Sequence, residues 1–221
     1  MKHKSAWVVV LVLSALLAQC NAYNLVEKLE KPGGDGVRRK VFVSSLTTTP
    51  TINFGLANCT GLFGILNADC TCKSLAASAG LANSQNFVAW LSDSMQGMSN
   101  DARCRIQGFS GTGCSNSGGG PWYNTQGQLV AKDITALTSG TLNAPIQYTE
   151  NGTATGATQV FTGTNSMGNW SGSDCMNWNP TTGGSGTVGD PRSASLWTDT
   201  VTPVSCMTGT PVLPVYCFES P

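Results

Sequence analysis

The sequence predicts an α+β fold: two helices packed on short antiparallel strands with long loops, held by disulfides. Three observations predict it. Apolar residues at helical spacing occur only early in the chain, and short apolar runs between turn residues follow to the end. Charged residues make up 11% of the chain, against about a quarter in an average domain, while 26 glycines accompany abundant Ser, Thr and Asn. Nine cysteines are present, eight of them from Cys59 onward.

A length of 221 residues fits one domain and a targeting segment. Lys2, His3 and Lys4 precede a twelve-residue apolar run, Ala6 to Leu17, which is too short to span a bilayer and reads as an export signal. Leu16-Leu17-Ala18-Gln19-Cys20 resembles a bacterial lipobox, in which Cys20 is acylated and becomes the first mature residue. Gln19 stands where a small residue is usual, and the alternative is ordinary cleavage after Ala22, giving a secreted protein. The expected organisation is a lipoprotein signal peptide over 1–19, a charged tether over 20–40 and one domain over 41–221. Residues 21–40 carry eight charges, against fourteen over residues 41–219, and Pro32-Gly33-Gly34 among them suits a solvated linker. The tether has five cations and three anions, and the domain five and nine, giving +2 and −4. Without clustered cations the domain has little grip on nucleic acid. Arg38-Arg39-Lys40 could touch anionic lipid, but a linker role is preferred.

Val41-Phe42-Val43 opens the domain as a strand, and Pro50 follows Thr-rich sequence that ends it. Leu66, Cys72, Leu75, Ala76 and Ala79 mark a helix, with Asn67 or Asp69 as N-cap and Gly80 as its stop. Phe87–Leu91 reads as a buried strand and Met95 to Ile106 as a shorter helix. Strands are expected at Pro121–Tyr123, Gln128–Ala131, Gln159–Phe161 and Val215–Glu219. Setting Cys20 aside leaves an even eight cysteines, and export implies an oxidising compartment, so four disulfides are expected. The only histidine precedes the cleavage point, and no C-x-x-C pair occurs, so no transition-metal site or cofactor is expected.

Five landmarks follow in order: Phe87-Val88-Ala89-Trp90-Leu91-Ser92, Ala136-Leu137-Thr138-Ser139-Gly140, Phe161-Thr162-Gly163-Thr164-Asn165, Cys175-Met176-Asn177-Trp178 and Tyr216-Cys217-Phe218-Glu219. Together they resemble the endostatin-like branch of the C-type-lectin-like fold, and more closely the leptospiral endostatin-like (Len) outer-surface lipoproteins. The resemblance covers roughly residues 41–219 and, more loosely, Asn24 to Glu30. It implies two disulfides, Cys72–Cys217 and Cys175–Cys206. The first would close a loop of 217 − 72 = 145 residues, worth on the order of 4–5 kcal/mol in the chain-entropy model. Cys59, Cys70, Cys104 and Cys114 are additions to that pattern and allow three pairings, of which Cys59–Cys70 and Cys104–Cys114 are preferred. The resemblance also implies a surface-exposed lipoprotein of the bacterial outer membrane. Its implied partners are the extracellular-matrix proteins laminin and fibronectin, and plasma proteins such as factor H and plasminogen.

A carbohydrate-binding, calcium-assisted lectin is the alternative. Calcium takes six to eight oxygens. Here Trp197-Thr198-Asp199 lacks the middle Asn of a lectin triplet, and Thr149-Glu150-Asn151-Gly152 lacks the proline. Trp197 is therefore expected in the core and Asp199 in a turn. Without histidine no Ser-His or Cys-His pair can form, and Asp93, Asp101, Asp174, Asp190 and Asp199 read as turn residues, so no enzyme is expected. Met95 and Met98 read as core filling. The sequons at Asn58, Asn151 and Asn169 carry no meaning in a bacterial lipoprotein. Trp90 is expected in the core. Trp122 and Trp170, in Gly-rich polar sequence, are the candidate binding aromatics, on candidate loops 107–128 and 139–174.

Overall fold

The computed structural model describes residues 37–94, 100–115, 118–179, 183–207 and 209–221, all within the compact unit Gly33–Pro221. The expected signal peptide, Cys20, most of the expected tether, and Met95 and Met98 lie outside the described residues.

The architecture is α+β. A five-stranded sheet runs in the order β2-β9-β1-β3-β4. Its strands are β1 Arg39–Val43, β2 Phe87–Ala89, β3 Trp122–Asn124, β4 Leu129–Ala131 and β9 Tyr216–Glu219. The first and last strands pair antiparallel at the centre, with Phe42 opposite Cys217. The strands are not uniformly antiparallel, as the sequence suggested: β1 runs parallel to β3, with Arg39 opposite Trp122. Two small ribbons complete the structure, β5 Val160–Phe161 with β7 Val188–Gly189 and β6 Ser185–Gly186 with β8 Val204–Ser205.

Period-two alternation divides the core between the sheet's faces. Val41, Val43, Tyr216 and Phe218 join one buried cluster with Trp90, Trp122 and Trp197, while Phe42, Phe87, Ala89 and Cys217 join the other. Helix α1, Gly64–Ser78, covers the second face with Ala68, Cys72, Leu75 and Ala76. The short helices α2 Ala102–Arg105 and α3 Ile134–Leu137 contribute Ala102, Ile134 and Leu137 to the first. Of the helix expected at 95–106, the described part, 100–106, forms α2 over Ala102–Arg105.

Three local expectations need correction. β1 begins at Arg39 rather than Val41, because the Arg39 and Lys40 amides have partners in the fold: Arg39 N–H donates to Pro121 O (2.9 Å) and Lys40 N–H to Glu219 Oε2 (2.8 Å). Asn67 does not cap α1. It is buried inside the helix, accepts from Phe54 N–H (3.0 Å) and donates to Cys59 and Leu62 carbonyls, tying down the incoming loop. Leu66 is exposed, because the buried stripe at Ala68, Cys72, Leu75 and Ala76 already fills one helix face. Gly80 does stop the helix, at a φ of 68° that favours glycine.

Four disulfides join Cys59–Cys70, Cys72–Cys217, Cys104–Cys114 and Cys175–Cys206. Among the described residues no helix is long and apolar enough to cross a membrane.

Candidate functional site: an apolar cleft framed by disulfides

Trp122 is not a surface aromatic. It is fully buried in β3, packs edge-on against Phe218 at 5.8 Å and donates from Nε1 to Glu219 O at 2.9 Å. The glycines that suggested exposure are there to admit it: a Cβ on Gly119 would lie 2.8 Å from its ring. Trp170 is part-buried, its main-chain N–H donating to Asp101 Oδ1 (2.8 Å). Trp90 and Trp197 pack against each other in the core, ring centres 4.9 Å apart and planes tilted by 43°. Asp199 accepts from Val201 N–H (2.8 Å) in a turn. Asp101, Asp174 and Asp190 likewise accept main-chain N–H groups, while Asp93 accepts from the Asn100 side chain. Glu150 is buried and accepts from Ser45. Among the described residues no three His, Cys, Asp or Glu side chains group to hold a metal.

Four exposed apolar side chains gather elsewhere. A cleft of about 660 Å³ opens between the start of α1, the edge strand β2, the loop after α2 and the turn at Cys175–Trp178. Phe63, Leu66, Phe109 and Met176 line it, 56, 57, 59 and 52% exposed. Each is held by a disulfide close in sequence. Phe63 and Leu66 lie inside the Cys59–Cys70 loop, Phe109 lies inside the Cys104–Cys114 loop, and Met176 follows Cys175, which is bonded to Cys206. Three of the four bridges therefore frame one cleft.

Its floor is built by a charge pair. Arg105 Nη2 donates to both Asp69 oxygens (2.6 and 2.7 Å), and the two side chains are 9 and 19% exposed. The same groups occupy the outer edge of β2: Asp69 Oδ1 accepts from Ala89 N–H (2.8 Å), and Arg105 Nη1 donates to Ala89 O (2.7 Å) and Leu91 O (3.0 Å). A strand edge that would otherwise be open to pairing is thus satisfied by side chains.

The fourth wall is unusual in its backbone. Cys175, Met176, Asn177 and Trp178 have φ of 52, 57, 61 and 56°, making a left-handed helical turn of four residues none of which is glycine. Such residues cost roughly 1–2 kcal/mol each. Asp174 Oδ1 accepts from Asn177 N–H (3.2 Å), and Asp174 Oδ2 and Asn177 Oδ1 both accept from Ser94 N–H and Oγ–H. Trp178 is buried, with Nε1 donating to Ser92 O (3.0 Å), so the tertiary structure over-determines the turn. The result is that Met176 stands out half-exposed on the cleft wall while its neighbours Cys175 and Trp178 are buried.

Of the loops singled out from sequence, only Gly108–Ser110 lines the cleft. The signals available were Leu66 lying off the buried helical stripe and Phe109 standing alone in Gly/Ser sequence. No protein-family model matches the chain, and a search of curated proteins finds no match.

Proposed function

We propose that this chain is a non-catalytic interaction protein that binds other proteins through the cleft lined by Phe63, Leu66, Phe109 and Met176. The observation that carries the proposal is that these four half-exposed side chains lie within or beside three local disulfides, Phe63 and Leu66 sharing Cys59–Cys70. Pre-ordering loops in this way lowers the entropy cost of binding. Burying the remaining half of four such side chains is worth about 1 kcal/mol each, roughly 4 kcal/mol and a thousandfold in affinity.

In this reading the domain is of the C-type-lectin-like, endostatin-like class. Central pairing of the first and last strands and the bond from α1 to the last strand support that assignment. The likeness to Len lipoproteins extends the reading to a module displayed on the bacterial outer surface through Cys20. Its partners are then host proteins: laminin, fibronectin, factor H or plasminogen.

The test is saturable binding of residues 21–221 to these four proteins, with and without EDTA, and with native and Phe109→Ala protein. Saturable, EDTA-insensitive binding that Phe109→Ala weakens about five- to tenfold is expected, given about 1 kcal/mol from one half-buried aromatic. Absence of binding to all four sinks the reading. Loss on chelation, or competition by simple sugars, would instead favour the lectin.

A further inference from the structure

We propose that Met176 is a peroxide-sensitive modification site whose conversion to the sulfoxide closes the cleft to apolar ligands. The proposal rests on the function assigned above to the cleft. Met167, Met176 and Met207 are all about half-exposed or more, at 60, 52 and 62%, so solvent oxidants reach each of them. Only Met176 among these three lines the cleft. The left-handed turn sets its direction, and a Cβ on Gly184 would come within 3.3 Å of Met176 Cγ, so the stem rests closely over that backbone. Its thioether therefore has little freedom to swing away from the wall it helps form.

The chemistry is self-contained with hydrogen peroxide as oxidant. One oxygen atom passes to the sulfur, an S=O bond forms, the O–O bond breaks, and the peroxide leaves as water while sulfur is oxidised by two electrons. The product is polar and a strong acceptor. Of the side chains lining the cleft, Phe63, Leu66 and Phe109 have no donor, Asn100 and Arg105 already donate to Asp93 and Asp69, and Ser110, Asn177 and Asn179 add polar groups beside them. Covering the sulfoxide with an apolar ligand, which brings no donor of its own, then requires taking that oxygen out of water. Met167 and Met207 can undergo the same conversion without touching that surface.

The experiment uses 1-anilinonaphthalene-8-sulfonate as the apolar probe, titrated into native and peroxide-treated protein, wild type and Met176→Leu. Peptide mapping locates the sulfoxides, and near-UV circular dichroism checks the fold. Leucine keeps the volume and apolar character of the side chain. Expected is dye binding by native wild type, about fivefold weaker binding once residue 176 is oxidised, and no peroxide effect on Met176→Leu. Peroxide weakening Met176→Leu as much as wild type overturns the proposal. So does finding Met167 and Met207 oxidised while Met176 is not. Laminin and fibronectin are run on the same samples. If the dye responds as expected and neither protein binds, the partner assignment fails and the oxidation site stands. If both bind and mapped oxidation of Met176 leaves that binding and the dye unchanged, the oxidation site fails and the function stands.

Discussion

Tyr216 shows how one buried group sets a pH limit. Its hydroxyl is buried, and desolvation, with the Asp190 charge adding to it, raises its pKa well above the usual phenol value. The folded protein therefore keeps this proton after the unfolded chain has lost it. The stability this represents is complete below about pH 10 and is lost as pH rises from there toward the folded value. Alkaline unfolding should steepen above about pH 10 in wild type and flatten in Tyr216→Phe. That variant should also lose about 1–2 kcal/mol at neutral pH, because Tyr216 Oη–H donates to Trp197 O (2.7 Å). Urea midpoints from pH 7 to 11 check both. Val201 makes the opposite case. It is β-branched, 82% exposed and held at a φ of 60°, so its strain is offset by little packing. Val201→Gly is expected to raise the denaturation midpoint by about 1 kcal/mol of stability, against the general trend for Val to Gly.

Among the elements, β2 depends most on side chains from outside the sheet. β9 satisfies its inner edge, and Asp69 and Arg105 its outer one. Arg105→Ala leaves the Asp69 carboxylate and the carbonyls of Ala89 and Leu91 without that donor. A loss of about 2–3 kcal/mol is expected, below the range for fully buried pairs because both groups keep some solvent. Freed of its cover, the strand should also associate edge to edge, so light scattering at rising concentration should separate the variant from wild type. The expected strands were legible because alternation and turn residues mark them. The pairing of Asp69 with Arg105, 36 residues apart, was not, since no local period connects α1 to α2.

On the scale of the whole molecule, the Cys72–Cys217 bond ties α1 to β9 across 145 residues. Replacing both cysteines with serine should cost about 2–5 kcal/mol, the lower end applying if the denatured chain keeps residual order. Thermal unfolding of oxidised protein measures it. The short Cys59–Cys70 and Cys104–Cys114 loops span 11 and 10 residues, so the same entropy argument gives them less. Their removal should harm ligand binding more than global stability, because they hold Phe63, Leu66 and Phe109 in place.

The sequence by itself determined the α+β class, the even set of eight cysteines that pair as four disulfides, and most of the strands. Composition, parity and short-range periodicity are local properties, and these features follow from them. Only the tertiary structure decided which aromatics face solvent. Trp122 and Phe109 both sit in glycine-rich sequence, yet one is sealed against Phe218 and the other lines a cleft. Exposure is settled by what packs from distant parts of the chain. A glycine that admits a neighbouring ring reads the same along the sequence as one that merely turns a loop.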